Sequence, residues 1–286
     1  MEPKTISLVA RHRRIDMRNQ WETLTREEYI ELCADLCDMQ RGKLSDVDVR
    51  TRLAARMIGA DPQRIKDEEA LATLVSLGNR LTFLFKQADD GRSVLDLCFC
   101  AQLLPVVYLN RKPCKGYRID AAYGQISTSL TALQYIDASH LAASDKPSLP
   151  LLASILYSRQ PYDSGEACRN ARLFEELPHH ILQGIEWNFQ AFNNFIFTRT
   201  PFSLLAKFET KKGASITTDA ADALYDLAHD GFGNTQAVEQ MNLFTYLRIL
   251  RKKTIDTVRQ MRQLKMDTPT ISNETGLPIE VINDMI

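Results

Sequence analysis

Leu151–Phe197, LLASILYSRQPYDSGEACRNARLFEELPHHILQGIEWNFQAFNNFIF, is the stretch of sequence that decides the fold. Its hydrophobic start ends at Tyr157, a turn is predicted around Pro161, and a charged amphipathic helix then runs to about Leu177. Pro178 follows and opens an aromatic-rich helix. Proline is tolerated at the first position of a helix because the N–H that it lacks would have no partner there. The stretch therefore predicts packed helices with a junction at Pro178, and it contains no catalytic grouping.

The aromatic-rich helix carries an apolar stripe. Its residues recur at spacings of three and four: Ile181, Ile185, Phe189, Phe192 and Ile196. Trp187 and Phe195 lie beside the stripe. Such a stripe is more often part of a hydrophobic core than of a cofactor site, so we predict that it packs inside the protein. The lesser alternative is a docking face for another subunit, with Trp187, Phe192 and Phe195 as its candidate partner-binding residues.

Composition and charge narrow the class of protein. The chain has 286 residues, of which 44% are hydrophobic and 25% charged, so it can bury one large core or two modest ones. Its formal net charge of −1 gives no global attraction to nucleic acid or to an anionic membrane, and such binding requires a local patch. No apolar run is long enough to cross a bilayer, and the N-terminus lacks the order of a secretory signal. We expect a soluble intracellular protein with no membrane partner.

The cysteines and histidines do not have the spacing of a metal site. The six cysteines are Cys33, Cys37, Cys98, Cys100, Cys114 and Cys168. None of them forms a C-x-x-C pair, and the five histidines do not supply a zinc-finger spacing. In a reducing compartment, cysteines of this kind behave as small buried hydrophobic residues. The sequence therefore predicts no metal and no cofactor.

Helix starts are clearest in the first part of the chain. Thr25 and Glu28 have the spacing of a capping box, which predicts a helix start followed by an apolar face. Ser45 predicts the cap of a second helix, and Gly59 is expected to end it. A third helical stretch covers about residues 67–77. These signals predict a small N-terminal helical module.

A change of pattern predicts a small β element. Val106–Leu109 and Tyr117–Ile119 flank a turn-rich segment, which suits a β-hairpin. The strand predicted at Ile6–Val9 can join them, because two strands alone are marginal in water. The basic cluster Arg11–Arg14 is interpreted as a solvated strand end, with a phosphate or nucleic-acid contact as the lesser alternative. The predicted fold is mainly α and multi-helical, with a small β-hairpin or three-stranded β element.

A long basic helix is predicted from about Thr235 to Leu264. It combines an apolar face with a cationic series, which is either a solvated face or the candidate nucleic-acid-binding set of the chain. The series consists of Arg248, Arg251, Lys252, Lys253, Arg259, Arg262 and Lys265.

The last residues, Thr270–Met285, have the spacing of a helix-turn-helix. The small residue, the turn glycine and the two apolar positions of the pattern are Ser272, Gly276, Ile282 and Met285. A helix that reads DNA bases needs basic or amide side chains at its exposed positions, whereas this one offers Glu280, Asn283 and Asp284. A structural pair of helices is therefore favoured, and DNA binding is the alternative.

These patterns divide the chain into three predicted segments. Residues 1–125 form an N-terminal helical module with the small β element. Residues 126–265 form a C-terminal helical module, and residues 266–286 form a helix-turn-helix-like tail.

Short apolar motifs carry a family resemblance over about residues 20–255. They are Trp21-Glu22-x-Leu24-Thr25, Leu156-Tyr157 followed by Tyr162-Asp163, Arg172-x-Phe174-x-x-Leu177-Pro178, Leu224-Tyr225-x-Leu227-Ala228, Phe232-Gly233 and Tyr246-Leu247. With these motifs the chain resembles a group of uncharacterised proteins of Bacteroidetes phages and prophages that tend to occur with tail genes. The resemblance implies a tail-module protein, either an assembly chaperone or a minor structural component, with other phage tail proteins as partners. It places the protein in the cytoplasm of the bacterial host or in the virion, and it brings no catalytic residues.

Three functional hypotheses follow. The leading one is a non-enzymatic protein that acts through protein–protein interactions in phage tail assembly. The alternative is a DNA-associated protein that uses the basic helix and the terminal helix-turn-helix-like tail. An enzyme is the third, and we do not expect it, because acidic residues four apart on a helix normally face solvent. Its acid/base or metal-binding residues would be drawn from Asp89, Asp90, Asp222, Asp226, His179 and His180.

Overall fold

The computed structural model describes residues 5–10, 13–61, 64–65, 67–122, 124–206 and 220–285. These residues are mainly α-helical, with four small two-stranded antiparallel sheets, which confirms the predicted fold class. The helices are α1 (Arg26–Gln40), α2 (Asp46–Ile58), α3 (Glu68–Gly78), α4 (Ala132–Ala142), α5 (Leu149–Leu156), α6 (Ser164–Phe174), α7 (His179–Arg199), α8 (Ala220–His229), α9 (Thr235–Glu239), α10 (Leu243–Gln263), α11 (Thr268–Thr275) and α12 (Ile279–Asp284). The strands are β1 (Thr5–Ala10), β2 (Arg13–Arg18), β3 (Phe85–Gln87), β4 (Ser93–Leu95), β5 (Val106–Leu109), β6 (Lys112–Lys115), β7 (Ile119–Ala122) and β8 (Gln125–Thr128).

Two compact units make up the chain. The first contains Met1–Gly116, Leu149–Ala153 and Asn170–Phe192, and the second contains Tyr117–Ser148, Ser154–Arg169 and Asn193–Ile286. Both units are discontinuous in sequence. The predicted division into residues 1–125, 126–265 and 266–286 stays a prediction.

Capping boxes start two helices of the first unit. The Thr25 hydroxyl accepts a hydrogen bond from the Glu28 N–H at 3.2 Å, and the Thr25 N–H donates to the Glu28 carboxylate at 2.8 Å. Ser45 and Asp48 form the same reciprocal pair before α2, which ends at Gly59 with a left-handed φ of 70°. Each cap satisfies backbone N–H groups that have no partner inside the helix. Both predicted helix starts are confirmed.

Trp21 organises an aromatic cluster in the first unit. Its ring stacks on Phe99 with 5.0 Å between the centroids, and it meets the edges of Phe83 at 5.3 Å and Tyr29 at 6.3 Å. Its indole N–H donates to the Asp96 carbonyl oxygen at 2.9 Å, so the buried ring leaves no polar atom without a partner.

Helices α1 and α7 approach closely at Gly184. A Cβ atom there would lie 2.7 Å from the Cys33 sulfur, closer than side chains pack. The Tyr29 hydroxyl donates to the Gly184 carbonyl oxygen at 2.8 Å, and Tyr29 and Cys33 are both buried. Burial raises the pKa of the Cys33 thiol well above its usual range, so the thiol stays neutral at this crossing. A glycine within a helix is about 1 kcal/mol less favourable than alanine, and close packing accounts for its presence here.

One helical turn further along α7, Asn188 supports an irregular segment of the first unit. Its side-chain oxygen accepts from the Leu103 N–H at 2.7 Å, and its side-chain nitrogen donates to the Ala101 carbonyl oxygen at 2.7 Å. Buried backbone groups need hydrogen-bond partners, and a segment outside helices and strands has to find them elsewhere. The buried Asn188 amide supplies two of them.

The β strands pair differently from the prediction. β5 lies where it was predicted, but its partner is β6, after a two-residue turn in which Asn110 and Arg111 have φ of 49° and 64°. Tyr117–Ile119 was predicted as the partner, and this is wrong, because Ile119 begins β7, which pairs with β8. Asparagine tolerates left-handed backbone, so the hairpin closes at its first available turn. β1 pairs with β2, and among the described strands no three-stranded element forms.

In the second unit, the predicted long basic helix is interrupted. α9 ends at Glu239 and α10 begins at Leu243, because the backbone between them pairs with the segment before α4. The Ala132 N–H donates to the Met241 carbonyl oxygen at 2.8 Å, and the Leu243 N–H donates to the Leu130 carbonyl oxygen at 2.9 Å. Apolar periodicity continues through this interruption, so the prediction of one helix was wrong.

A hydrogen-bonded cluster fixes the start of α6 in the same unit. The hydroxyl groups of Tyr162 and Ser164 both donate to the Asp137 carboxylate at 2.6 Å. The Gln240 side-chain amide bonds the N–H and the carbonyl oxygen of Tyr162 at 3.1 and 2.8 Å. Burial, with the Asp137 charge adding to it, raises the pKa of Tyr162, which therefore remains a donor.

Glu186 is a buried carboxyl group on α7. Its side chain is paired with amides: Gln183 and Gln190 each donate to one of its oxygens, the latter at 3.1 Å. No cation pairs with it among the residues that the structure describes. Burial raises the pKa of Glu186, and the hydrogen bond from Gln183 opposes part of that shift.

We expect Gly184→Ala to destabilise the protein by about 1–3 kcal/mol, because the new methyl group overlaps the Cys33 sulfur. Urea unfolding measures the change. Gly165→Ala is the matched control, since a Cβ there meets only the side chains of Asp163 and Arg169 at 3.3 Å. Adding Cys33→Ala to the Gly184→Ala variant removes the overlapping atom, so the double variant should lose less stability than the two single losses combined. Unchanged stability of Gly184→Ala contradicts the close approach.

We expect Glu186→Gln to increase the free energy of unfolding at pH 7. A carboxyl group whose pKa is raised by folding stabilises the fold most below its unfolded pKa of about 4.3, and this stability is lost as pH rises through the folded pKa. Glutamine keeps the neutral form at every pH, so the gain over the natural protein should disappear near pH 4. Urea unfolding at both pH values measures this. The exposed Glu175→Gln serves as the control, and a gain that persists at pH 4 argues against the pKa as its cause.

Candidate functional site

The three predicted partner-binding aromatic residues have different environments on α7. Trp187 and Phe192 are buried, with 5% and 0% of their surface exposed. Phe195 is half-buried. Trp187 and Phe192 are thus core residues of the folded chain, and Phe195 is the member of the set that solvent reaches.

Some residues of the predicted cationic series have structural partners, and the others are exposed. Three members have structural partners: Lys253 pairs with Asp230, Arg251 donates to the Pro201 carbonyl oxygen at 3.0 Å, and Arg262 donates to the Thr268 hydroxyl at 2.7 Å. Lys265 is exposed just after the helix, where it has a left-handed φ of 63°.

The remaining members form one exposed row, which we call the basic face: Arg248, Lys252 and Arg259. With 3.6 residues per turn, they lie within about 40° of one another around the helix. All three side chains are exposed, and no acidic partner lies within 4.0 Å of them in the described part of the chain. Asp256, which is half-buried on the same helix, is the one acidic residue among them in sequence.

A groove of about 700 Å³ lies at the first turns of α10. We call it the arginine groove, because Arg199, Arg248 and Arg251 all line it. Phe202 and Phe244 form an aromatic wall, with their rings stacked at 5.7 Å between centroids and 13° between planes. The rest of the lining consists of Gly124, Gln125, Ile126, Thr200 and Pro201.

Sequence reasoning missed part of this groove. Arg248 and Arg251 belong to the predicted cationic series, but Arg199 ends α7, and Phe202 lies in the short 3-10 helix Pro201–Leu205. Nothing in the spacing of the chain relates these residues to α10. A smaller cavity of about 390 Å³ shares Arg248 and Phe244 with the groove and also contains Asp120.

The terminal helix pair, α11 and α12, packs against the C-terminal half of α10. Val258, Ile271, Leu277 and Ile282 form its buried core. Asp267 caps α11 by accepting from the Thr270 N–H at 3.1 Å, and Gly276 makes the turn with a φ of 69°. The Ser272 hydroxyl donates to the Leu277 carbonyl oxygen at 2.6 Å and closes this turn.

The exposed side chains of α12 are one large apolar residue, two acidic residues and one amide. Ile279 is 46% exposed, and Glu280, Asn283 and Asp284 are also exposed on α12. Leu264, at the end of α10, is 76% exposed. A duplex-reading helix presents basic or amide groups to the bases, and a negatively charged face is repelled by phosphates. This surface therefore suits a protein better than DNA.

The residues considered for catalysis or metal binding do not converge among the described residues. Asp89, Asp90 and Asp226 are exposed, and Asp90 pairs with Arg92, while the side chain of Asp222 lies outside the described residues. Burial lowers the pKa of His180, and the neighbouring His179 adds to this. Within the described part of the chain, no three His, Cys, Asp or Glu side chains are placed to hold a metal ion.

The cysteines were expected to be buried, and this is confirmed for two of the six. No disulfide joins any of the six cysteines, all of which belong to the described residues; Cys33 and Cys37 are buried, three are half-buried, and Cys168 is exposed. Of the basic cluster near the N-terminus, Arg13 and Arg14 belong to β2, and Arg11 and His12 lie outside the described residues.

No helix among the described residues has the length and apolar character that a membrane crossing requires. No protein-family model matches the chain, and neither a curated protein nor a solved structure is significantly similar to it.

Proposed function

We propose that this chain is a non-enzymatic protein of a phage or prophage tail module that acts through protein–protein interactions, in the host cytoplasm or in the virion. The tail module is proposed because the chain resembles phage and prophage proteins that tend to occur with tail genes. Residues of its motifs, such as Tyr157, Tyr162, Phe174 and Leu247, are buried or hydrogen-bonded, so the resemblance concerns the fold more than a site. A fold alone does not determine function, so a binding role has to rest on an exposed surface that suits a partner.

The observation that carries the proposal is the mixed surface of the terminal helix pair. Ile279 on α12 exposes a large apolar side chain, which gains free energy when a partner covers it, and so does Leu264 just after α10. Acidic groups at Glu280 and Asp284 border Ile279 in the sequence. An apolar centre with a charged border is typical of protein interfaces, and it gives a partner with complementary basic residues an orientation.

We expect Ile279→Asp to weaken binding to a tail protein by at least about ten-fold, because a charge replaces the apolar contact. The measurement is co-expression with tail proteins encoded beside this chain, followed by pull-down and titration of the recovered pair. Phe232→Asp is the matched control, since Phe232 is 47% exposed and Ile279 46%. Failure to recover any tail protein counts against the proposed function. Equal binding by both variants rejects the terminal helix pair as the surface.

The basic face of α10 favours a second candidate function, association with nucleic acid. Arg248 and Arg259 are 11 residues apart, about 16 Å along the helix axis, and Lys252 lies between them. One DNA strand carries a phosphate about every 3.4 Å of duplex axis, so a row of this length passes several phosphates. Cations without acidic partners are available for such contacts, whereas a paired cation must first break its bond.

For this second candidate, the double variant Lys252→Ala/Arg259→Ala should reduce the salt dependence of duplex binding. Each phosphate contact contributes about −0.9 to the slope of log K against log salt, so losing two contacts changes the slope by about two. Fluorescence anisotropy with a labelled duplex at several salt concentrations measures the slope. Lys253→Ala is the control, because Lys253 is paired with Asp230. No detectable binding at low salt removes the candidate.

A further inference from the structure

The arginine groove combines a cationic lining with an aromatic lining. Three guanidinium groups lie beside an aromatic wall, and both kinds belong to one cavity of about 700 Å³. We propose that the arginine groove binds one nucleotide unit, with its phosphate at Arg199, Arg248 and Arg251 and its base against the Phe202 ring. This inference deepens the second candidate function and rests on it, and it is independent of the tail-assembly role.

The charge of the groove is available to an incoming ligand. Arg199 and Arg248 are exposed and have no hydrogen-bond or ion-pair partner among the described residues. Arg251 keeps one N–H on the Pro201 carbonyl oxygen at 3.0 Å, which fixes its guanidinium group and leaves its other donors for a ligand. Guanidinium groups bind phosphate oxygens through paired, charge-assisted hydrogen bonds. Three of them in one cavity favour a ligand with more than one negative oxygen.

The aromatic wall distinguishes a nucleotide from a simple anion. Phe202 is half-buried, and its inner side is supported by Phe244, which is 4% exposed. A supported ring cannot turn away easily, so it offers a fixed surface for a planar base. Stacking of a base on an aromatic side chain stabilises binding and is tolerant of base identity. Sulfate or free phosphate would use the arginines and leave this wall uncovered.

The size and the polar edge of the groove fit the same ligand. Cavities of roughly 300–1,000 Å³ hold small organic ligands, and the groove lies within that range. Gln125 adds a side-chain amide to the lining, which can hydrogen-bond a sugar or a base edge. A peptide of acidic residues alone would satisfy the arginines but has no aromatic ring to stack on Phe202. The combination therefore favours a nucleotide, either free or within a strand.

The test uses the full chain and three probes: a fluorescein-labelled oligothymidylate, unlabelled thymidine triphosphate and polyglutamate. Anisotropy at low salt gives the affinity for the oligonucleotide, and the other two compounds are added as competitors. The variants Arg199→Ala and Arg248→Ala each remove one groove cation without a structural partner. Lys146→Ala is the matched control, because it removes an exposed cation of the same unit that neither lines the groove nor belongs to the basic face. Lys252→Ala is measured as well, and it reports on the basic face. Circular dichroism checks that each variant is folded.

We expect Arg199→Ala and Arg248→Ala to weaken oligonucleotide binding about ten-fold each, because each removes charge-assisted hydrogen bonds to the phosphate, and Lys146→Ala to weaken it by less than about two-fold. Phe202→Leu should weaken the binding of the oligonucleotide and of thymidine triphosphate. It should leave inhibition by pyrophosphate, added as a further competitor that lacks a base, unchanged. Competition by thymidine triphosphate at the same groove indicates a site for free nucleotides. Competition by longer oligonucleotides alone indicates a site for one unit of a strand. Both results support the proposal.

Three outcomes overturn it, and they separate its failure from that of the second candidate function. If Lys252→Ala weakens binding as much as Arg248→Ala while Arg199→Ala has no effect, nucleic acid lies along the basic face and not in the groove. If the oligonucleotide does not bind at low salt, the groove proposal and the second candidate function both fail. If polyglutamate displaces the oligonucleotide and thymidine triphosphate does not, the groove is a site for acidic peptides.

Discussion

At Gly184, the backbone of α7 lies against the Cys33 side chain of α1, and the Tyr29 hydroxyl bonds the Gly184 carbonyl oxygen. This contact determines where the rest of α7 runs in the first unit. One turn later the helix presents Asn188, whose amide supports the irregular segment at Ala101 and Leu103. A shift of the helix by a methyl group would lengthen two short buried hydrogen bonds at once. Packed interiors transmit such shifts because they contain few voids.

Local signals explain the parts of the fold that the sequence predicted well. Thr25 with Glu28 and Ser45 with Asp48 each act within four residues, so their capping boxes are readable without knowledge of the tertiary structure. The short range of these local signals also explains why the break between α9 and α10 was not predicted. The break between α9 and α10 depends on Leu130, more than 100 residues away, whose carbonyl oxygen accepts from the Leu243 N–H. A contact across that distance leaves no periodic trace in either segment.

The candidate site was predictable only where it lies on one helix. The basic face repeats at helical spacing on α10, and its residues were therefore found as part of the cationic series. Arg199 and Phe202 reach the groove from a different segment, and the sequence between them and α10 gives no sign that they meet. The burial of Phe192 agrees with the prediction that the apolar stripe packs inside the protein, whereas the burial of Trp187, which lies beside the stripe, needed the structure.

The nearly neutral net charge of the chain conceals a separation of charge within the second unit. α12 packs near Val258, beside the C-terminal half of α10, and its Glu280 and Asp284 are exposed there. Arg248 lies ten residues before Val258, about 15 Å along the helix axis, whereas the Debye length at physiological salt is about 8 Å. The acidic pair therefore lowers the potential around Arg259 more than around Arg248. A polyanion should be drawn to the arginine groove end of α10, and a basic protein to the terminal helix pair, so the groove and the terminal helix pair lie at opposite ends of one helix.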